Sequence, residues 1–246
     1  MSSDATPRRA LGEALWAFAG TTAVCAALWQ GRSALKNLPG YLSFLGDAST
    51  LIALVFLAVP WWLLERRRAD WSAYALTWRP AGPGVLLALG AAAVLFPLFY
   101  LGFHLYYRTV CDAGAFAEMC QRFRGAGGGA LRFSPKLLED TLAQVVAVAL
   151  PEEFFFRGYL QGRLAEAWPA RRHCWGAPVG RALVVTAALF ALGHLLVDGN
   201  PLGLAVFFPG LVFGWMREKT GSILAGTLFH ALCNLYSDVL HRSFFG

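Results

Sequence analysis

Charged residues are scarce in this chain. Lys, Arg, Asp and Glu together make up 15% of the 246 residues, whereas hydrophobic residues make up 57%. An average soluble domain is about 25% charged. The mean hydropathy is +0.50, and the apolar residues form long blocks instead of one face of each element. This pattern is typical of a polytopic membrane protein and excludes a soluble domain with regular polar faces.

Lysine is especially rare. Only three of the 21 basic residues are lysines. The arginine bias, with abundant Ala, Leu and Gly, indicates a bacterial chain from a GC-rich genome, so we expect a multi-pass protein of the cell inner membrane. The formal net charge is +6, but the basic residues lie mostly in short loops beside apolar blocks. Membrane orientation explains them better than nucleic-acid binding does, and we expect no nucleic-acid partner.

Two common hydrolase signatures are missing. The chain has no H-E-x-x-H zinc helix and no G-x-S-x-G nucleophile elbow. Of its five cysteines, Cys25, Cys174 and Cys233 show no metal-ligand spacing. Cys111 and Cys120 lie in one link between apolar blocks, and this spacing is equally compatible with a disulfide and with two separate thiols.

The apolar blocks predict an all-α fold, a polytopic transmembrane helix bundle of about seven to eight spans. The first block follows Arg8 and Arg9 without a small-x-small cleavage site, so we expect a retained span instead of a signal peptide. One block is short for a hydrocarbon core of about 30 Å, which predicts a tilted, re-entrant or shielded segment. The blocks cover residues 14–29, 41–64, 84–107, 137–160, 182–197, 202–216 and 222–240.

We expect one integral membrane domain. Residues 1–135 would form N-terminal helices, an interfacial segment and an extracytoplasmic loop, and residues 136–246 would form the catalytic helices. The interfacial segment is predicted from Trp71, Tyr74, Ala75 and Trp78, which share one helical face. A cytoplasmic N-terminus places twelve basic residues inside and eight outside, the bias expected of membrane proteins.

Charged residues interrupt the fourth block. Glu153 and Arg157 are spaced i, i+4 with the acid first, the favourable order for a helical ion pair. Glu152 is then left about 100° around the helix without a local counter-charge. Pro151 removes an amide donor and is predicted to open space beside Glu152. Each charge at the centre of a span costs about 2.5–3.5 kcal/mol, which indicates a functional site.

Two further polar groups occupy the later blocks. His194 ends the sequence F-x-x-x-H, one turn before Asp198, and His230 begins the sequence H-x-x-x-N, which ends at Asn234. His230 and Asn234 share one helical face. Each group alone is explained by hydrogen bonding between helices, but their recurrence on successive spans favours a site.

These side chains suit water-mediated hydrolysis of an amide. Glu152 can take a proton from water, and His194 can orient that water. His230 and Asn234 can donate hydrogen bonds to a developing oxyanion. On ligand types alone, zinc held by Glu152, His194 and His230 stays open as a minority alternative.

The order E-E-x-x-x-R, F-x-x-x-H and H-x-x-x-N, each motif on its own apolar helix, resembles the CAAX-protease and bacteriocin-processing family of intramembrane glutamic endopeptidases. The resemblance covers residues 137–240. It implies an endopeptidase without a cofactor, in which Glu152 and His194 activate water and Glu153 and Arg157 support the site. It also implies that the oxyanion hole is formed by His230 and Asn234.

The resemblance leaves the substrate open. A membrane-anchored protein or peptide in the lipid bilayer is expected, with or without a prenyl or other lipid modification. A myxosortase-like role, cutting C-terminal sorting tails, fits a site that opens away from the cytoplasm. The alternatives are a non-catalytic peptide-binding or bacteriocin-immunity protein and a proton-coupled transporter.

Overall fold

Eight helices make up the part of the chain that the computed structural model describes, residues 5–36, 47–113 and 131–245. Helix α5 is one continuous helical run from residue 137 to residue 167. A small antiparallel hairpin, β1 (Arg172–Cys174) and β2 (Ala177–Val179), connects α5 to α6. The all-α prediction is confirmed, with the helices α1 (Ala5–Gln30), α2 (Arg32–Lys36), α3 (Ala48–Arg67), α4 (Ala81–Asp112), α5 (137–167), α6 (Arg181–Asp198), α7 (Phe207–Thr220) and α8 (Leu224–Phe245).

Four of these helices, α1, α3, α4 and α6, are long and apolar enough to cross a membrane. Helix α4 is the most apolar of the four, with a mean hydropathy of 2.2, and only 11% of its most apolar stretch is buried. Its outer face therefore suits contact with lipid. The predicted span 202–216 is divided into a 3₁₀ turn, Pro201–Val206, and the 14-residue helix α7. At about 1.5 Å per residue α7 is too short to cross alone.

Helix α5 lies at the centre of the bundle and packs against α1, α3, α6 and α8. It changes helical type around Pro151. Two π-helical segments, Gln144–Ala149 and Phe154–Leu160, flank a four-residue α-helical segment, Leu150–Glu153. Proline lacks the amide that an α-helix requires and crowds the preceding turn, and a π segment accommodates that misfit. The two neighbouring carboxylates therefore lie at the point where the helix changes its winding.

The predicted interfacial helix is shorter than its sequence pattern indicated. Only Trp71–Tyr74 are helical, in a 3₁₀ turn that ends at Ala75 with φ 59°. Tyr74 is buried against α5, while Trp78 is 55% exposed, so these residues do not share one face. Cys111 is disulfide-bonded, whereas Cys120 lies outside the described residues, and the pairing between them stays a prediction.

A glycine on α5 allows this turn to approach. A Cβ atom at Gly162 would lie 2.6 Å from the ring atom Cδ1 of Tyr74. The ring cannot move aside easily, because it stacks on Tyr159 at a centroid distance of 6.4 Å and its hydroxyl donates to Glu166. The segment between α3 and α4 is thus attached to the central helix by a contact that tolerates no side chain.

We expect Gly162→Ala to lower the free energy of unfolding by about 1–3 kcal/mol, because the added methyl group overpacks the Tyr74 contact. Thermal unfolding in detergent, followed by circular dichroism, measures the effect. Gly90→Ala on α4 is the matched control, since no atom lies within 4 Å of its added Cβ. Equal stability of the two variants would contradict the close approach.

Candidate active site

One cavity gathers the four residues predicted to act together. Glu152 of α5, His194 of α6, and His230 and Asn234 of α8 all line a cavity of about 270 Å³. The remaining walls are mostly apolar and come from five helices and the 3₁₀ turn before α7: Phe99, Val148, Phe190, Ala205, Val206, Pro209, Phe213, Cys233 and Ser237. The four candidate side chains, up to 82 residues apart in the sequence, therefore face one space.

Glu152 keeps a carboxylate oxygen without a partner in this cavity. Its side chain is 16% exposed, and Nε2 of His230 lies 3.8 Å from its Oε2, beyond hydrogen-bond distance. Within the described part of the chain, that buried oxygen accepts no hydrogen bond. A carboxylate arranged in this way can accept a proton from a water molecule.

The ring of His194 is oriented by its own helix. Its Nδ1 lies 3.0 Å from the carbonyl oxygen of Phe190. A carbonyl oxygen only accepts, so Nδ1 carries the hydrogen of this bond. In the neutral ring Nε2 is then an acceptor. His194 can therefore receive a hydrogen bond from a water molecule.

Glu152 and His194 also separate two cavities. Together with Val148 they line a second space, of about 170 Å³, on the side of α1 and α3. Asp198, which follows His194 by one turn, is exposed and lines this second cavity instead of the first. An extended chain that passed from one cavity to the other would cross the two candidate catalytic side chains.

Glu153 and Arg157 form a fully buried ion pair beside the cavity. Nη1 of Arg157 lies 2.9 Å from Oε1 of Glu153, and both side chains are 0% exposed. The guanidinium carbon lies 4.1 Å from the ring centroid of Phe190, and Nη2 donates to the carbonyl oxygen of Gly210 at 3.2 Å. These contacts offset part of the cost of removing the guanidinium from water.

His230 joins the ion pair of Glu153 and Arg157 as a third member. Nδ1 of His230 lies 3.1 Å from Oε1 of Glu153, and the ring of Phe213 stacks on the imidazole at a centroid distance of 4.7 Å. Space for the carboxylate comes from Gly226, where a Cβ would lie 2.9 Å from Oε2 of Glu153. Glu153 therefore joins α5 to α8 and sets the orientation of His230.

Asn234 has a partner that sequence reasoning missed. Its Nδ2 donates to Oε1 of Gln144 at 2.9 Å, and a second N–H on the same nitrogen is left for another acceptor. Gln144 precedes Glu152 by eight residues on α5. The sequence signal for this contact is that Gln144 is a polar amide in an otherwise apolar block, about two turns before the acidic motif.

The zinc alternative has no preformed ligand set in this conformation. Within residues 5–36, 47–113 and 131–245, no three His, Cys, Asp or Glu side chains form a group that could hold a metal ion. Glu152, His194 and His230 line one cavity, but they do not converge in that way.

We expect Arg157→Met to lower the free energy of unfolding by about 3–5 kcal/mol, since it leaves Glu153 buried and uncompensated. The double variant Glu153→Gln/Arg157→Met removes that charge and keeps an acceptor for His230. It should regain much of the lost stability, and the yield of folded protein in detergent and its thermal midpoint measure both effects. A double variant less stable than Arg157→Met would contradict the pairing.

A comparison with known proteins gives a match in the C-terminal part of the chain, which contains the candidate active site. Residues 134–236 match the family model described as type II CAAX prenyl endopeptidase Rce1-like. Neither the curated proteins nor the solved structures include a match to the chain. The matched segment contains all four candidate catalytic residues, and it supports the predicted CAAX-protease and bacteriocin-processing family, a group of membrane proteases.

Proposed function

We propose that this protein is an intramembrane endopeptidase that hydrolyses a peptide bond of a membrane-anchored protein near the bilayer surface. The convergence of Glu152, His194, His230 and Asn234 on one cavity carries the proposal. The family match over residues 134–236 supports a protease of the CAAX type, and the four apolar helices support a membrane location.

The chemistry is of the glutamic type. A water molecule binds between Glu152 and His194, and Glu152 accepts its proton as the oxygen attacks the carbonyl carbon of the substrate. Asn234, held by Gln144, donates one hydrogen bond to the oxyanion. His230, whose Nδ1 donates to Glu153, donates a second from Nε2 in its doubly protonated form. The proton on Glu152 then passes to the leaving amine as the carbon–nitrogen bond breaks.

The substrate is a membrane-anchored tail. The arginine-rich composition supports a bacterial protein of the inner membrane, and we propose a myxosortase-like role in sorting surface proteins. His194 lies near the C-terminal end of α6, four residues before Asp198. In the orientation with a cytoplasmic N-terminus, this is the outer end of the span. A site at that depth suits tails that reach the membrane from the outside.

Glu152→Gln and His194→Ala should each lower cleavage at least about 100-fold, because each removes a group that activates water. The mature termini of membrane-anchored proteins, compared in cells that carry the wild type, either variant or no copy, report the loss. Glu139→Gln is the matched control, an exposed carboxylate on the same helix.

Unchanged processing by the Glu152→Gln variant would refute the glutamic mechanism. Stoichiometric capture of a tagged tail by the wild type without new fragments would instead establish a non-catalytic binding or immunity protein. Loss of cleavage on chelation, with recovery on added zinc, would establish the metal alternative.

The oxyanion hole makes a separate prediction. Asn234→Ala should lower kcat about 100- to 1,000-fold with little change in KM, since its hydrogen bond forms mainly in the transition state. Gln144→Leu should lower kcat in the same direction but less, because Asn234 stays present and loses only its orientation. Steady-state kinetics on a peptide tail in detergent separate kcat from KM. A Gln144→Leu variant with wild-type kcat would show that the amide contact is only structural.

A further inference from the structure

A third cavity, lined mostly by charged side chains, lies far from the candidate active site. Its volume is about 560 Å³, and the ends of α1, α3 and α5 form its walls with Arg9, Glu13, Leu63, Arg66, Arg67, Arg163 and Glu166. Arg163 follows Glu152 by eleven residues on α5, which is about 16 Å along the axis at about 1.5 Å per residue. The proposed hydrolysis uses none of these side chains.

Two of the four arginines are neutralised within the cavity. Arg67 donates to Glu13, and Nη2 of Arg163 lies 3.6 Å from the same carboxylate. Arg163 also pairs with Glu166. Two carboxylates therefore balance Arg67 and Arg163.

Two tyrosines complete this network without adding charge. The hydroxyl of Tyr159 donates to Glu13 at 3.1 Å, and that of Tyr74 donates to Glu166. Burial, followed by the neighbouring Glu166, raises the pKa of Tyr74 to about 12. The Tyr74 hydroxyl thus stays neutral, and it neither adds to nor offsets the charge of the cavity.

The other two arginines leave the cavity with an excess of positive charge. Arg9 and Arg66 are exposed, and neither has an ion pair within the residues that the structure describes. The guanidinium carbon of Arg66 lies 4.6 Å from the ring centroid of Trp62. Arg163 is only 2% exposed, yet its Nε has no hydrogen-bond partner in that same part of the chain. The cavity therefore combines an uncompensated charge of two with a buried donor.

We propose that this cavity binds the phosphate group of an anionic membrane lipid. Guanidinium groups bind phosphate oxygens through paired N–H donors, and the two uncompensated arginines can donate to the two free oxygens of one lipid phosphate. Trp61 and Trp62, 52% and 51% exposed, lie within the last two turns of α3, and Trp62 contacts Arg66 of the cavity. Exposed aromatic side chains at the end of a span mark the headgroup level. The predicted orientation places this end in the cytoplasmic leaflet, which carries the anionic lipids.

A lipid bound here joins α1, α3 and α5 at their cytoplasmic ends. The same three helices line the smaller cavity beside Glu152, through residues such as Cys25, Phe56 and Phe156. The bound phosphate therefore stabilises the arrangement of helices on which that cavity depends. Its binding requires no hydrolytic activity and is measured separately.

Native mass spectrometry of the full chain in neutral detergent tests the proposal, with phosphatidylglycerol, phosphatidylcholine and inorganic phosphate as probes. The wild type should bind one phosphatidylglycerol in preference to phosphatidylcholine. Arg9→Gln/Arg66→Gln should weaken that binding about 30-fold, from about 1 kcal/mol for each arginine. Both positions are exposed, so the variant should fold. Arg8→Gln, an exposed neighbour on α1 outside the cavity, should bind as the wild type does.

Competition by inorganic phosphate at a concentration similar to that of the lipid would support the phosphate site and identify a soluble phosphate as sufficient. Failure of inorganic phosphate to compete would support the lipid as the source. Binding by the double variant within twofold of the wild type would overturn the proposal. An equal loss in Arg8→Gln would also overturn it, because the attraction would then be general surface charge.

Discussion

The architecture depends on keeping three ionisable side chains paired in the interior of the helix bundle. Glu153 and Arg157 are both 0% exposed, and His230 bonds to the same carboxylate from another helix. An unpaired charge at that depth would cost several kcal/mol, so α5, α7 and α8 must meet in one arrangement. Gly210 supplies a carbonyl oxygen to Arg157, and Gly226 leaves room for Glu153. The two glycines therefore lie where α7 and α8 approach the buried ion pair.

The same cluster gives two adjacent carboxylates different surroundings. Glu153 binds Arg157 and His230 through Oε1 and is 0% exposed, whereas Glu152 is 16% exposed and lines the cavity. One carboxylate is therefore committed to structure, and its neighbour is available for proton transfer. The π-helical segments on both sides of Leu150–Glu153 occur where this difference arises. Winding changes of this kind are frequent at functional sites.

Helix α5 also connects the two polar regions of the molecule. Its middle carries Glu152 of the candidate active site, and its C-terminal end supplies Arg163 and Glu166 to the arginine cavity. Tyr159 lies between them and reaches Glu13 of α1. Because this helix is buried along residues 155–164, a change in its position would affect both regions.

By itself the sequence determined the fold class, the membrane location and the polar motifs, because hydropathy and i, i+4 spacing are local properties of the chain. The ion pair of Glu153 with Arg157 could be predicted for this reason. Only the tertiary structure decided the contacts of His230 with Glu153 and of Asn234 with Gln144, which join residues 77 and 90 positions apart. It also decided the arginine cavity, whose walls come from three helices. Such contacts follow from how helices pack in three dimensions, which a one-dimensional periodicity does not encode.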